Sequence, residues 1–192
     1  MPSPKLIAFA GSLRSDSFNK KLVAIASRGA EQAGAEVTTI ALNDYPMPIL
    51  DQDYEAANGI PEPARKLQKL FMEHDGFLIA SPEYNSSITG VMKNTIDWVS
   101  RPGDGIPALA GFKGKSAVIM SASPGGLGGL RGLVHLRAIL GNIGVIVLPE
   151  QMAISKSGDA FAEDGNLKDA KQQETILGLG KKLSEFVAKV KG

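Results

Sequence analysis

At residues 6–19 the chain reads LIAFAGSLRSDSFN, which passes from an apolar run through a hydroxyl-rich loop into a helical pattern. A helix start presents free backbone N–H groups and the positive end of its dipole, an arrangement that suits a phosphate group. Ser12, Ser15 and Ser17 add hydroxyl donors. Arg14 adds a guanidinium that can bind two phosphate oxygens at once. This stretch predicts a phosphorylated ligand at the end of the first strand of an α/β sheet.

The loop matches neither of the two common phosphate-binding fingerprints. No run of Gly, four residues and Gly-Lys-Ser/Thr is present, and Gly11 has no second glycine at the dinucleotide-binding spacing. Hydroxyl side chains take the place of the glycines, which favours a terminal monophosphate over a buried pyrophosphate. An alternative is that Ser15 to Ser17 only cap the helix, but capping leaves Arg14 and the density of donors unexplained.

The composition excludes several classes of function. The chain has 192 residues, 43% of them hydrophobic, which predicts a single domain over residues 1–192. Its 21 Lys and Arg balance 20 Asp and Glu, so neither nucleic acid nor an anionic membrane is expected as a partner. Cysteine is absent and only two histidines occur, which excludes thiolate catalysis and disfavours a metal site. Without a signal peptide or a membrane-spanning run, we expect a soluble, cytoplasmic protein.

Apolar strand-like segments alternate with helical patterns along the chain. The predicted strands are Lys5–Ala10, Glu36–Ala41, Gly76–Ala80, Lys115–Ser121 and Gly144–Leu148. The predicted helices are about Asn19–Ala33, Pro63–His74, Gly90–Ser100, Leu127–Leu140 and Lys168–Val190, and Asn43–Ile60 and Arg101–Gly114 are interpreted as surface loops. This alternation predicts an α/β fold with helices on both faces of a parallel sheet. Five strands favour the flavodoxin-like three-layer sandwich of order 2-1-3-4-5, which binds ligands beyond the carboxyl ends of strands 1 and 3.

A second candidate loop follows the third predicted strand. Its residues Pro82, Glu83, Tyr84 and Asn85 combine a flat aromatic face with polar groups. A flat heteroaromatic ring with polar edges needs that mixture. Taken alone, the same residues also fit an ordinary surface turn before an amphipathic helix.

The two loops, together with the pattern Lys93-Asn94-x-x-Asp97-Trp98, resemble the NADPH-dependent FMN reductase family, which includes bacterial chromate and quinone reductases. The resemblance spans nearly the whole chain. It implies that the first loop binds the FMN phosphate through Ser12, Arg14, Ser17, Phe18 and Asn19. It further implies that Pro82, Glu83, Tyr84 and Asn85 line the isoalloxazine, and that the glycine-rich stretch after the fourth strand flanks the flavin through Ser121, Ser123 and Gly125.

The resemblance also implies the reaction and the assembly. An enzyme of this kind passes a hydride from NADPH or NADH to FMN and then reduces quinones, chromate-type metal oxyanions, azo compounds or free flavin. Because FMN carries this chemistry, no protein nucleophile is required, which fits the lack of cysteine. A homodimer or homotetramer is expected, with residues 43–59 as a candidate contact or substrate wall.

Two other functions fit parts of the same pattern. A flavodoxin-type electron carrier without NAD(P)H oxidase activity is disfavoured by the near-neutral charge and the aromatic content of only 6%. A non-flavin module that binds a sugar phosphate is the second alternative. The residues leave open the electron acceptor, the choice between NADPH and NADH, how tightly FMN is held, and the roles of Arg131, His135 and Trp98.

Overall fold

Five parallel strands form the centre of this computed structural model, which describes residues 2–191. The strands are β1 (Lys5–Ala10), β2 (Glu36–Thr39), β3 (Gly76–Ala80), β4 (Ser116–Ala122) and β5 (Ile146–Ile154). Their order across the sheet is β2-β1-β3-β4-β5, and each neighbouring pair runs parallel. The predicted fold is therefore confirmed, including the reversal of strand order between β1 and β3.

Helices cover both faces of the sheet. They are α1 (Phe18–Gln32), α2 (Gln52–Asn58), α3 (Glu62–Met72), α4 (Gly90–Val99), α5 (Leu130–Asn142), α6 (Ser157–Ala160) and α7 (Ala170–Lys191). Side chains of a strand alternate between its two faces. Leu6 and Val118 accordingly pack with α1 and α7, while Ile7 and Ile119 pack with α3, α4 and α5. Within residues 2–191 no helix is long and apolar enough to cross a bilayer.

The fifth strand is longer than predicted. It starts at Ile146 and continues beyond Leu148 to Ile154. Its pairing with β4 shifts between Ala117 and Ile119, so that part of β5 bulges away from its partner. Pro149 lies in this bulge on the edge strand, where its missing N–H breaks no ladder hydrogen bond. The strand predicted from the sequence ended at Leu148, the residue before Pro149.

The segment from residue 43 to residue 60 also differs from the prediction, because it contains α2 and is held against α4. The Asn94 side chain accepts the Leu50 N–H at 2.8 Å and donates to the Pro48 carbonyl at 2.8 Å. The Trp98 indole N–H donates to the same Pro48 carbonyl at 2.8 Å, and its side chain is fully buried. Trp98 therefore has a packing role, and Ile49, between the two bonded residues, is left 75% exposed.

Candidate functional site

A cavity of about 80 Å³ opens where β1, β3 and β4 end. Three loops supply its lining: Ser12, Arg14, Ser17, Phe18 and Asn19 from the first, Pro82, Glu83 and Tyr84 from the second, and Ala122, Ser123 and Pro124 from the third. The structure thus brings together nine of the twelve residues proposed from the sequence. Asn85, Ser121 and Gly125 do not line the cavity, whereas Ala122 and Pro124 do. Both lie in the third loop that the sequence predicted to flank the flavin, but they were not among the proposed site residues.

The start of α1 keeps its polar groups available. Ser17 occupies the N-cap position, yet its side chain makes no capping hydrogen bond. The first backbone N–H groups of a helix have no partner within the helix, so those at the start of α1 remain free to bind an anion. Ser12 and Ser17 face this point, and they are only 5% and 4% exposed. Simple capping by Ser17 therefore does not account for the loop.

Arg14 supplies the cation of the first loop. It is exposed, lines the cavity, and takes part in none of the salt bridges formed within residues 2–191. Its backbone N–H donates to the Ser12 hydroxyl oxygen at 3.3 Å. The guanidinium is therefore available to bind an anion in the fork geometry that suits phosphate.

Asn19 is placed in the cavity wall but is already engaged. Its side-chain NH₂ donates to the Ala122 carbonyl at 2.8 Å, and its oxygen accepts the Ala122 N–H at 3.0 Å. Since Ala122 ends β4, this pair of hydrogen bonds connects the start of α1 to the third loop. The geometry thus gives Asn19 a holding role between two loops, with one N–H left for a ligand.

Thr89 connects the first loop to the second, and the sequence did not indicate this. Its hydroxyl donates to the Gly11 carbonyl at 2.7 Å and accepts the Met92 N–H at 3.2 Å, capping α4. Gly11 packs closely on α4, since an added Cβ would lie 2.7 Å from the terminal methyl of Met92 and 3.3 Å from the Thr89 hydroxyl oxygen. A side chain on Gly11 would therefore require the flexible Met92 side chain to shift.

The second loop is a tight two-residue reverse turn. Tyr84 and Ser87 exchange two backbone hydrogen bonds, at 2.9 and 3.0 Å, around Asn85 and Ser86. Both turn residues have positive φ, 50° and 67°, as a type I′ turn requires. The turn carries Asn85 outward and leaves Tyr84 57% exposed at the rim of the cavity. Tyr84 therefore offers an exposed flat face at the rim of the cavity.

Glu83 fastens this turn to α5. One carboxylate oxygen accepts from Nε and Nη2 of Arg131 at 3.0 and 2.7 Å, and the other accepts the Gly132 N–H at 3.0 Å. The Glu83 side chain is 8% exposed. Burial acts to raise the pKa of Glu83, but the bonds from Gly132 and Arg131 outweigh it and hold the pKa below its ordinary value. Glu83 is therefore a carboxylate at neutral pH and does not serve as a proton donor there.

A second link from the same turn to α5 involves the other end of the loop. The Nδ1 atom of His135 lies 2.9 Å from the Ser87 hydroxyl. Between the two links, Gly132 leaves room for the loop, since an added Cβ would lie 3.2 Å from the Ser87 carbonyl oxygen. Arg131 and His135, whose roles the sequence left open, thus fasten the second loop at both of its ends.

The third loop packs against Gly129, which precedes α5. Gly129 has φ of 93°, and a Cβ there would lie 2.0 Å from the Ser121 hydroxyl, so Gly129 packs directly on Ser121, which is fully buried. This explains why Ser121 does not reach the cavity. Ser123 does reach it, and its hydroxyl oxygen accepts the Gly125 N–H at 3.3 Å. Gly125 itself is exposed outside the cavity lining.

The residues of the first loop fit the phosphate end of FMN. They combine a free guanidinium, two buried hydroxyls that donate no hydrogen bond within residues 2–191, and a helix start whose N-cap side chain is not used. Tyr84 and Pro82 provide apolar surface next to these donors, as a flat ring requires. The donor set and the adjoining apolar rim therefore suit a phosphorylated heteroaromatic cofactor.

Comparison with known proteins identifies the family of the chain. The family model for NADPH-dependent FMN reductase matches residues 4–159. An NAD(P)H-dependent FMN reductase of Pseudomonas aeruginosa is 34% identical, with 98% of this chain and 97% of the relative covered. An NAD(P)H:quinone oxidoreductase of Solanum tuberosum is also 34% identical, with 100% and 96% covered.

A solved structure extends the comparison to the fold. The flavoenzyme NAD(P)H:(acceptor) oxidoreductase FerB from Paracoccus denitrificans superimposes with a TM-score of 0.80 at 30% identity, over 97% of this chain and 98% of that one. The chain belongs to the NADPH-dependent FMN reductase family, a family of FMN-dependent NAD(P)H oxidoreductases.

Proposed function

We propose that this protein binds FMN in the three-loop cavity and uses it to pass reducing equivalents from NADPH or NADH to small acceptors, foremost quinones. The observation that carries the proposal is the first loop, where Arg14, Ser12 and Ser17 keep their donors free beside the exposed face of Tyr84. The name of the Solanum tuberosum relative, NAD(P)H:quinone oxidoreductase, supports a quinone as acceptor. Chromate-type oxyanions, azo compounds and free flavin are further acceptors to be tested.

Each loop has a separate task in this proposal. When bound, FMN supplies the hydride-accepting and electron-donating chemistry. Arg14, Ser12, Ser17 and the start of α1 bind its phosphate, while Phe18 and Ser123 lie on the adjoining walls. The Tyr84 turn contacts the ring system and leaves an open side for the nicotinamide and the acceptor. No side chain of this cavity is required as a proton donor.

The first experiment is an anaerobic titration of the purified protein followed by absorbance. Flavin bands that bleach with NADPH or NADH, and return when a quinone is added, would support the proposed reaction. Flavin that binds but is bleached by neither nucleotide would favour the electron-carrier alternative. Failure to bind FMN would overturn the proposal together with the assigned cavity.

We further propose that the protein forms a homodimer or homotetramer through the face that carries Ile49. This exposed side chain is held rigidly between the two residues that bond to α4. Beside it lies an apolar cavity of about 270 Å³, lined by Leu13, Tyr45, Met47 and Val91 among others. A knob and a cavity on one face allow a self-complementary contact between two copies.

Light scattering of wild type, Ile49→Asp and Val190→Asp tests this contact. Val190 is a matched control because it is also an exposed aliphatic residue, at 60%, but lies on α7. We expect Ile49→Asp to lower the oligomer mass and Val190→Asp to leave it unchanged. A monomeric wild type would refute the proposal. A cytoplasmic location and a single domain over residues 1–192 stay predictions.

A further inference from the structure

Asn43 lies outside the cavity, yet its side chain bonds directly to the first loop. It belongs to the single turn of 3₁₀ helix at Leu42–Asp44, which follows β2. Leu42 is buried in the core, so the turn has a fixed position, while Asn43 itself is exposed. The Asn43 NH₂ donates to the Leu13 carbonyl at 2.8 Å, and Lys20 Nζ donates to the Asn43 oxygen at 3.1 Å.

These two bonds also fix which way the Asn43 amide faces. A lysine ammonium can only donate, so it must meet the amide oxygen, and a backbone carbonyl can only accept, so it must meet the NH₂ group. Lys20 and Leu13 therefore select the same orientation. The donor is held toward the first loop, although the residue is exposed to solvent.

The bond reaches the cavity through one peptide unit. The Leu13 carbonyl and the Arg14 N–H belong to the same planar trans peptide and point in opposite directions. With the carbonyl held by Asn43, the Arg14 N–H is aimed at the Ser12 hydroxyl oxygen, from which it lies 3.3 Å away. Ser12 thereby uses its oxygen as an acceptor. Its single hydrogen is left to donate elsewhere, and Ser12 lines the cavity.

We propose that Asn43 is a positioning residue for phosphate recognition, which orients the Ser12 hydroxyl toward the FMN phosphate through the Leu13–Arg14 peptide. The inference rests on the proposed function, since it needs FMN in the cavity. It differs from the cofactor-contacting residues because Asn43 does not line the three-loop cavity; it lines the neighbouring apolar cavity beside Ile49. Its effect is confined to the phosphate end of the ligand.

The test compares the affinities for FMN and riboflavin, which lacks the phosphate, in wild type, Asn43→Ala and Asn43→Asp. Losing one neutral hydrogen bond should weaken FMN binding by about three- to tenfold. Asn43→Asp keeps an acceptor for Lys20 but sets a carboxylate oxygen against the Leu13 carbonyl, so its effect on FMN should be at least as large. Riboflavin affinity should not change in either variant.

Asn58→Ala is the matched control. Asn58 is also exposed and its side chain also donates to a backbone carbonyl, that of Tyr54 at 3.0 Å, but it lies in α2. We expect its ratio of FMN to riboflavin affinity to equal that of wild type. Adding Asn43→Ala to a Ser12→Ala variant should then produce no further loss, because both changes act on one hydroxyl.

Three outcomes would overturn the inference. They are an unchanged FMN affinity in Asn43→Ala, an equal loss for FMN and riboflavin, and a full additional loss in the Ser12→Ala background. The equal loss would assign Asn43 a merely structural role. A wild type that binds FMN no better than riboflavin would instead overturn the proposed phosphate site itself, so the two failures are distinguishable.

Discussion

The first and second loops of the cavity treat their polar side chains in opposite ways. In the first loop Arg14 makes no ion pair within the described chain, and Ser17 caps nothing although it stands at the N-cap. In the second loop Glu83 is bonded to Arg131 and Gly132, and Ser87 lies against His135. The first loop keeps the Arg14 guanidinium and the Ser17 hydroxyl free, while Glu83 and Ser87 of the second loop are already engaged.

This difference indicates how the anionic part and the flat ring of a ligand are recognised. An anion needs free donors, and these must not be satisfied by the protein beforehand. A flat ring needs a rigid surface, and rigidity comes from side chains bonded to a neighbouring helix. The first loop is therefore expected to govern affinity, and the second to govern stability and the position of Tyr84.

The largest expected effect is on the first loop. Arg14→Ala should weaken FMN binding on the order of 10- to 100-fold, because hydrogen bonds to a charged phosphate are lost, while riboflavin binding stays unchanged. Isothermal titration of both flavins measures this. Arg14→Lys should recover only part of the affinity, since an ammonium lacks the fork geometry. Retention of wild-type FMN affinity in Arg14→Ala would contradict the free-donor interpretation.

The next effect is on the second loop. Glu83→Ala should lower the free energy of unfolding by about 2 kcal/mol, since it removes three charge-assisted hydrogen bonds and leaves the Gly132 N–H without its acceptor. Urea unfolding of the flavin-free protein measures the loss. Glu163→Ala is the control, as Glu163 is exposed. If both variants were equally stable, Glu83 could not be what holds the turn.

The N-cap residues of α1 and α4, Ser17 and Thr89, are expected to differ in how much each contributes to stability. Thr89→Val should cost about 1 to 2 kcal/mol of stability, because the Thr89 hydroxyl both caps α4 and donates to Gly11. Ser17→Ala should change stability by less than about 0.5 kcal/mol. It should nevertheless weaken FMN binding about three- to tenfold. Thermal unfolding and flavin titration of both variants decide the matter, and a stability loss in Ser17→Ala would restore the capping interpretation.

The smallest expected effect concerns pH. The pKa of Glu83 is lower in the folded protein than its ordinary value of 4.5, so the carboxylate stabilises the fold fully above that pH. This contribution is lost as the pH falls through the lowered pKa. The difference in unfolding free energy between wild type and Glu83→Gln, about 1 kcal/mol at neutral pH, should therefore shrink in strong acid. If the difference in unfolding free energy between wild type and Glu83→Gln stayed the same in strong acid, the charge of Glu83 would not contribute to stability.

The sequence predicted β1 and β3 well because these strands are short, apolar on both faces and separated from the next elements by helical periodicity. β1 and β3 begin and end where the pattern placed them. The pattern missed α2, a helix with no buried residue, because such a helix has no apolar stripe to detect. It also missed the second half of β5, where Pro149 is tolerated only because the strand lies at an edge.

For the candidate site, the sequence by itself determined which donor types stand at the ends of β1 and β3, because local spacing sets the strand, loop and helix order. The tertiary structure decided which of those donors stay free. Arg131 lies 48 residues from Glu83, and Asn43 lies 30 residues from Leu13. Such pairs leave no periodic signal in a single chain, since only the packing of α5 and of the turn after β2 brings them within hydrogen-bonding distance.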